Sequence, residues 1–299
     1  MNISAKQLKY FLAVAKHKNF QKAADECAIS QPALSMKIKE LEKDLGQLIE
    51  RGSKKFYLTQ TGQALIDKAE TIIQSFDDLK HLANKGSKIS KLAIGVIPTI
   101  GPYLLPRILE IITKNYPGII LEPKETITEK LIEHVINGRL DMAILALPIN
   151  EQLLVEFSLF YEEFLLIRNK FDINKPIPDS NELSKMNLLL LEEGHCLRSQ
   201  TLSFCKINSA PKNSFEATTL STLVQMVNSR FGVTLIPEMA IPFETKLTNV
   251  LVSRFKKNKP RRQIGLIWRK NNSLSEKLKE IALTLKCLNS SKNKMHAKK

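Results

Sequence analysis

Apolar positions in the first third of the chain recur at helical spacing. Leu8, Phe11, Leu12 and Ala15 mark one helix that stops at about Asn19, and Ala23, Ala24 and Cys27 give a second helix a small apolar face. A third starts after Ser30, a good N-cap, with Pro32 tolerated in its first turn and Leu34, Ile38, Leu41 and Leu45 on its buried side. Two helices joined by so short a turn form a helix-turn-helix, whose second helix enters the DNA major groove. The segment Leu48 to Thr59 reads as two short strands around a basic turn, a wing whose Arg51, Lys54 and Lys55 lie along phosphates. From Thr61 to about Lys85 a long helix carries Leu65, Ala69, Ile72, Ile73, Phe76, Leu79 and Leu82 on one stripe. Alone it would expose that stripe, so a partner helix from a second subunit is the expected cover. Lys85 to Lys88 reads as a hinge.

Beyond Lys91 short apolar runs alternate with helical stripes. Strands are expected at Leu92 to Ile97, Ile119 to Glu122, Met142 to Leu147 and Leu188 to Leu191. Helices are expected at Tyr103 to Asn115, Thr126 to Asn137, Leu197 to Ile207 and Leu274 to Leu288. The order argues an α/β fold with an open parallel sheet, and a break at Phe160 to Pro178 divides it into two lobes with a cleft between them. The expected domains are 1–60 for DNA binding, 61–88 for the linker helix and hinge, and 89–288 for an effector domain. Within the last, lobe one takes in about 91–163 and 268–288, and lobe two about 164–267. Ligands in such sheets sit beyond the carboxyl ends of the strands, where Pro98-Thr99 and Glu193-Gly194-His195-Cys196 fall.

Composition adds three constraints. At 299 residues, 43% hydrophobic and 25% charged, the chain is long enough for two domains and ordinary for a globular protein. No apolar run reaches the roughly 18 residues of a membrane span, and Met1 to Lys9 carries no export signal, so a cytoplasmic protein without membrane partners is expected. The net charge of +15 is uneven: residues 1–90 carry an excess of +5, residues 91–253 of −3, and residues 254–299 of +13. Basic ends around a slightly acidic middle suit an anionic polymer, while the tail at 289–299 has the composition of a disordered extension.

Cys196 and Cys205 stand nine residues apart in a stretch that also holds His195 and Arg198. Cationic and hydrogen-bonding neighbours favour thiolate, and a second thiol nearby can capture a sulfenic acid as a disulfide, which is how redox-sensor cysteines are arranged. The alternative is an inert pair of small buried side chains. A zinc site from His195, Cys196 and Cys205 lacks a fourth ligand and the usual spacing, so neither a metal nor a cofactor is expected. Cys27 and Cys287 read as core, and His17, His81, His134 and His296 as surface residues.

Phe20-Gln21-Lys22-Ala23-Ala24, Ile29 to Ser35, Leu41-Glu42 and Leu58 to Gly62 together resemble the winged helix-turn-helix signature of the LysR-type transcriptional regulators. The resemblance runs from about Met1 to Leu288. It implies an N-terminal winged helix-turn-helix, a long linker helix and a two-lobed periplasmic-binding-protein-like α/β effector domain. Ile97 to Pro106, Gly194 to Cys205 and Pro260 to Leu266 further resemble the peroxide-sensing activators within that family. That likeness implies a regulator, not an enzyme, with hydrogen peroxide as effector. Cys196 is then peroxidatic and Cys205 resolving, Thr99 and Thr128 line the peroxide pocket, and His195, Arg198 and Arg262 assist. Ser30, Gln31, Pro32, Ser35 and Lys37 match the family's groove-facing positions on double-stranded DNA. The implied assembly is a homodimer through the linker helix and a homotetramer that contacts RNA polymerase. Ser199 departs from the pattern, because peroxide sensors of the family usually carry an aspartate there. Two rivals remain: a regulator answering a small organic effector in the same cleft, and a thiol peroxidase fused to a DNA-binding module.

Overall fold

The structure, a computed structural model, describes residues 3–50, 56–83, 91–207 and 215–290. Arg51, Lys54 and Lys55, the 85–88 hinge and positions 291–299 of the tail lie outside the described residues. The chain divides into two compact units, essentially Met1–Lys88 and Ile89–Lys299.

In the first unit α1 (Ala5–His17) opens on a capping box, in which Ser4 Oγ accepts the Gln7 amide and the Gln7 side chain accepts the Ser4 amide. Asn19 caps α2 (Phe20–Glu26), and Ser30 caps α3 (Gln31–Leu45) by accepting the Ala33 amide at 3.4 Å, with Pro32 in the first turn. Leu34, Ile38 and Leu41 of α3 close on Phe11 and Val14 of α1 and on Ala23 and Ala24 of α2, all buried. The Glu42 carboxylate accepts the amides of Leu48 and Ile49, and Ile49 pairs antiparallel with Leu58, so the base of the wing is tied to α3. The linker helix α4 runs from Gln60 to Ala83. Its Ala69 reaches the core and Leu65 and Ile73 pack against it, while Ile72 and Phe76 are 44% and 46% exposed.

The second unit begins with β1 (Lys91–Val96), α5 (Gly101–Asn115), β2 (Ile120–Glu125), α6 (Thr128–Ile136), β3 (Met142–Leu147) and the long strand β4 (Leu154–Asn169). It continues with α7 (Ser180–Leu183), β5 (Leu190–Leu191), α8 (Cys196–Phe204), β6 (Glu216–Ala217), α9 (Leu220–Asn228), β7 (Thr234–Pro237), α10 (Ile241–Glu244) and β8 (Val250–Ser253). It closes with β9 (Arg261–Arg269), α11 (Ser275–Leu285) and α12 (Cys287–Ser290). The main sheet runs β2-β1-β3-β9-β4-β7, with β8 beside β4 and a separate β5-β6 pair. The α/β architecture is as expected, but the sheet is mixed. β1 runs parallel to β2 and β3, whereas β9 is antiparallel to β3 and β4, and β4 to β7 and β8. Parallel pairing follows the helical crossovers, and the return strand β9 has none.

The expected break at Phe160 to Pro178 is half strand. Leu159 and Phe160 of β4 belong to the first core and Phe164 to Ile167 to the second, so one continuous strand serves both lobes, and Glu162-Glu163 in its middle masks the apolar run in sequence. Ile264 to Ile267 of β9 also pack in the first core, so lobe one reaches further toward Arg261 than the 268 boundary allowed. The helix α9, with Leu220, Leu223, Val224 and Val227 on its buried face, was not read from the sequence. His134 is buried at 8% exposure and Cys287 is exposed, reversing both expectations. Each lies on a helix with one covered face, and a rotation of one residue decides which side a short side chain meets. No described helix is long and apolar enough to cross a membrane.

Truncating Leu34, wholly buried between three helices, leaves a cavity. Leu34→Ala is expected to destabilise the first unit by about 2–5 kcal/mol, read by urea unfolding of the isolated transition.

Candidate redox site and DNA-reading face

The carboxyl ends of β1 and β2 lie side by side, because Val96 pairs in register with Glu125. Thr99 follows the first of these strands and Thr128 opens α6 after the second, so topology sets two threonines at one sheet edge. Thr99 is 2% exposed. Among the described residues Thr128 Oγ1 is buried without a hydrogen-bond partner. The turn before α8 meets the same edge at Gly194, whose φ of +88° only glycine adopts easily and whose missing Cβ would come within 2.8 Å of Ile127 Cδ1. That close approach packs the turn before α8 against the segment that leads into α6.

Arg262 organises the floor. Its Nε donates to Glu162 Oε2 at 2.9 Å, Nη1 to Thr99 Oγ1 at 2.7 Å and Nη2 to the Thr99 carbonyl at 3.0 Å. Both side chains of the ion pair are fully buried, Arg262 lies over the Phe164 ring, and the other Glu162 oxygen accepts the Met239 amide at 2.7 Å. Tyr103 donates to Glu244 at 2.6 Å from α5 to α10, and burial together with that carboxylate pushes its phenol well above the usual range. Of the arginine pair, Arg262 is the internal residue. Arg261 stacks on Tyr161 and, with Ser199, Gln200 and Phe204, lines a groove of about 390 Å³ against α8.

Cys196 is the first residue of α8, half-buried against the first-lobe core, at the N-terminal end of the helix. His195 before it is buried, and desolvation lowers its pKa against the opposing pull of Glu192, so the imidazole is neutral at neutral pH. Cys205 is the C-cap of the same helix, 1% exposed in the second-lobe core, and burial pushes its thiol up to about 11. Both cysteines are free thiols. Nine residues of α-helix separate them by about 13 Å along the axis, about twice the Cα spacing a disulfide allows.

Arg198 is not directed at the thiol. Its guanidinium donates to the Leu191 carbonyl at 2.9 Å and pairs with Glu216 at 2.7 Å, which fastens α8 to the β5-β6 pair. The orphaned Gln200 Oε1 beside it was missed in sequence, where an amide four positions after a cysteine carries no signal. Among the described residues no cluster of three or more histidine, cysteine, aspartate or glutamate side chains suits a metal ion.

On α3, Gln31 and Pro32 are exposed and Ser35 is half-buried, with Gln31 and Ser35 lining a groove of about 320 Å³ together with Phe20 and Glu50. Lys37 stands about 120° round an ideal helix from Gln31, and its Nζ pairs with Glu40 at 2.8 Å. The face that continues from Pro32 instead presents Met36 and Lys39, both exposed and neither singled out from the sequence.

A helix-turn-helix unit followed by a two-lobed α/β domain with a polar interlobe site defines a class. The bacterial regulatory helix-turn-helix family of lysR type matches residues 5–63 and the LysR substrate binding domain matches residues 85–287. The chain belongs to the LysR family of transcriptional regulators. It is 39% identical over 288 residues to the DNA-binding transcriptional dual regulator OxyR of Escherichia coli K12, covering 94% of each chain. Among solved structures, a full-length cysteine-to-aspartate OxyR variant from Pseudomonas aeruginosa superposes with a TM-score of 0.76 at 29% identity, over 95% of both chains. A cysteine-to-serine mutant of Corynebacterium glutamicum OxyR with hydrogen peroxide bound gives 0.62 at 32% identity, over 96% of this chain and 92% of that one.

The Cys205 environment has a pH signature. A thiol raised from about 9 to about 11 on folding contributes stability that is complete below pH 9 and lost as pH rises through 11. The stability advantage of the wild-type chain over Cys205→Ala, measured by urea unfolding, is therefore expected to stay level up to about pH 9 and to shrink toward pH 11.

Proposed function

We propose that this protein is a transcriptional activator, not an enzyme, that senses hydrogen peroxide through Cys196 and responds by forming a disulfide with Cys205. The observation that carries the reading is α8 itself. One thiol stands half-buried at its N-terminal end next to His195, and the other is buried in the second-lobe core, where burial raises its pKa. The names of the relatives, OxyR and hydrogen peroxide-inducible genes activator, support the same reading.

The chemistry balances with peroxide as the oxidant. The Cys196 thiolate attacks one peroxide oxygen, an S–O bond forms as the O–O bond breaks, and the departing hydroxide takes a proton to leave as water. The Cys205 thiol then displaces a second water from the sulfenic acid and closes the S–S bond. Thr99, Thr128 and Arg262 supply donors to the leaving oxygen, and His195 takes part as the neutral imidazole. Arg198 acts at a distance, by holding α8 in its reduced conformation. The second step requires α8 to unwind, since the helix keeps the sulfurs apart. That rearrangement is the signal.

On the DNA side, Ser30, Gln31, Pro32 and Ser35 read a half-site in the major groove, with Met36 and Lys39 added on the exposed face of α3. Arg51, Lys54 and Lys55 contact phosphates from the wing. The exposed Ile72 and Phe76 of α4 favour a homodimer through the linker helix. A homotetramer in the cytoplasm, acting on RNA polymerase, completes the reading.

Peptide mapping of the reduced protein after one equivalent of hydrogen peroxide is expected to show loss of two thiols and a Cys196–Cys205 cross-link, with no loss in Cys196→Ser. Retention of both thiols would sink the peroxide reading and leave an organic effector in the cleft. Gln31→Ala is expected to weaken binding to the operator by about tenfold, measured by anisotropy at fixed salt, the scale of one lost base contact.

A further inference from the structure

Glu162 lies in no motif that points to peroxide chemistry, yet it is the residue on which the geometry of Arg262 depends. It sits in the middle of β4, directly across the ladder from Arg262 in β9. Its carboxylate is wholly buried, and its two oxygens are divided between Arg262 Nε at 2.9 Å and the Met239 amide at 2.7 Å. An arginine held only by its Nη atoms could turn about its long axis. Holding Nε as well pins the plane of the guanidinium, because the five donors of the group are rigidly arranged.

That plane decides what Thr99 can do. Thr99 Oγ1 accepts from Arg262 Nη1 at 2.7 Å, and its carbonyl accepts from Nη2 at 3.0 Å. With one lone pair of the hydroxyl so engaged, its own hydrogen is left to be donated elsewhere, and a hydroxyl polarised by a guanidinium is a stronger donor. Fixed donors aimed at a developing charge in a site closed to water need no reorganisation as the bond breaks.

We infer that Glu162 is a positioning residue for the oxidation of Cys196: it orients Arg262, and through Arg262 the Thr99 hydroxyl, so that both donate to the oxygen leaving the O–O bond. This rests on the proposed role of Cys196. The role is separate from the ionisation of the thiol. Glu162 therefore governs reactions that expel an oxygen leaving group and not the nucleophilicity of the thiol.

The test compares two electrophiles at Cys196 in the full-length reduced protein, hydrogen peroxide and iodoacetamide, by quenched-flow thiol mapping across pH 5–9. In Glu162→Gln the second-order rate constant with peroxide is expected to fall on the order of ten- to hundredfold. The iodoacetamide rate and the pH midpoint of both reactions stay within about twofold, since iodide departs without needing a proton donor. The double variant Glu162→Gln, Arg262→Lys is expected to be no slower than Arg262→Lys alone, the non-additivity of residues acting through one another. Glu162→Asp keeps the charge one methylene short, is expected to lie between wild type and Gln, and carries the test if the Gln variant does not fold. A folded Glu162→Gln protein with wild-type peroxide kinetics overturns the inference, and so does an equal fall with both electrophiles. A wild-type Cys196 that does not react with peroxide at all overturns the underlying reading, and this role with it.

Discussion

The effector unit is arranged around one buried ion pair. Removing a guanidinium and a carboxylate from water costs several kcal/mol each, and their mutual attraction offsets that only when the remaining donors and acceptors are also satisfied. Glu162 and Arg262 meet the condition through the Met239 amide and two oxygens of Thr99. Every partner comes from a different element: β4, β9, the loop after β1 and the turn after β7. The pair therefore holds in register the two long strands shared by both lobes and brings the first threonine of the site to its place. A hydrophobic pair of the same volume would hold the strands equally well. What it would lack is a set of directed donors at the edge of the cleft.

Against this rigid floor stands a lightly anchored element. Helix α8 has only nine residues, begins without a side-chain cap and is held in its first turn by the Arg198 contacts to Leu191 and Glu216. Its ends are bound to different cores, Cys196 to the first lobe and Cys205 to the second. A disulfide of about ten residues gains about 2.5–3 kcal/mol from loop closure, comparable to what is lost when one short helix and one buried thiol leave their places. Near balance is what a reversible switch requires. Ser199 places a hydroxyl, rather than a carboxylate, on the exposed side of α8 in the groove that Arg261 also lines.

Charge is spread unevenly along the chain: both ends carry an excess of positive charge around a slightly acidic middle, an arrangement that suits an anionic polymer. On α4, Ile72 and Phe76 leave nearly half of their surface open in one chain, which suits a second subunit.

Much of this was legible in the sequence. The helix-turn-helix was readable because caps at Ser30 and the 3.6-residue stripe are local signals, and the strands β1 to β3 were readable because each is a short apolar run between turns. The cysteines, His195 and Thr99 stood at strand and helix ends where ligands bind. Other features depended on partners distant along the chain. That β4 is one strand across two lobes follows from Glu162 being neutralised by a residue 100 positions away, which no window of sequence contains. Arg198 looked like a thiolate partner because proximity along the chain does not give direction: at the third position of a helix its side chain turns to Glu216. Lys37 pairs with Glu40 on the same helix, while Met36 and Lys39 on its exposed face were not singled out from the sequence. Local sequence determined which elements form and which chemical groups stand at their ends. Only the tertiary structure decided where long side chains point and which buried charges find each other, because those choices are made by desolvation and by contacts between segments that meet only in the fold.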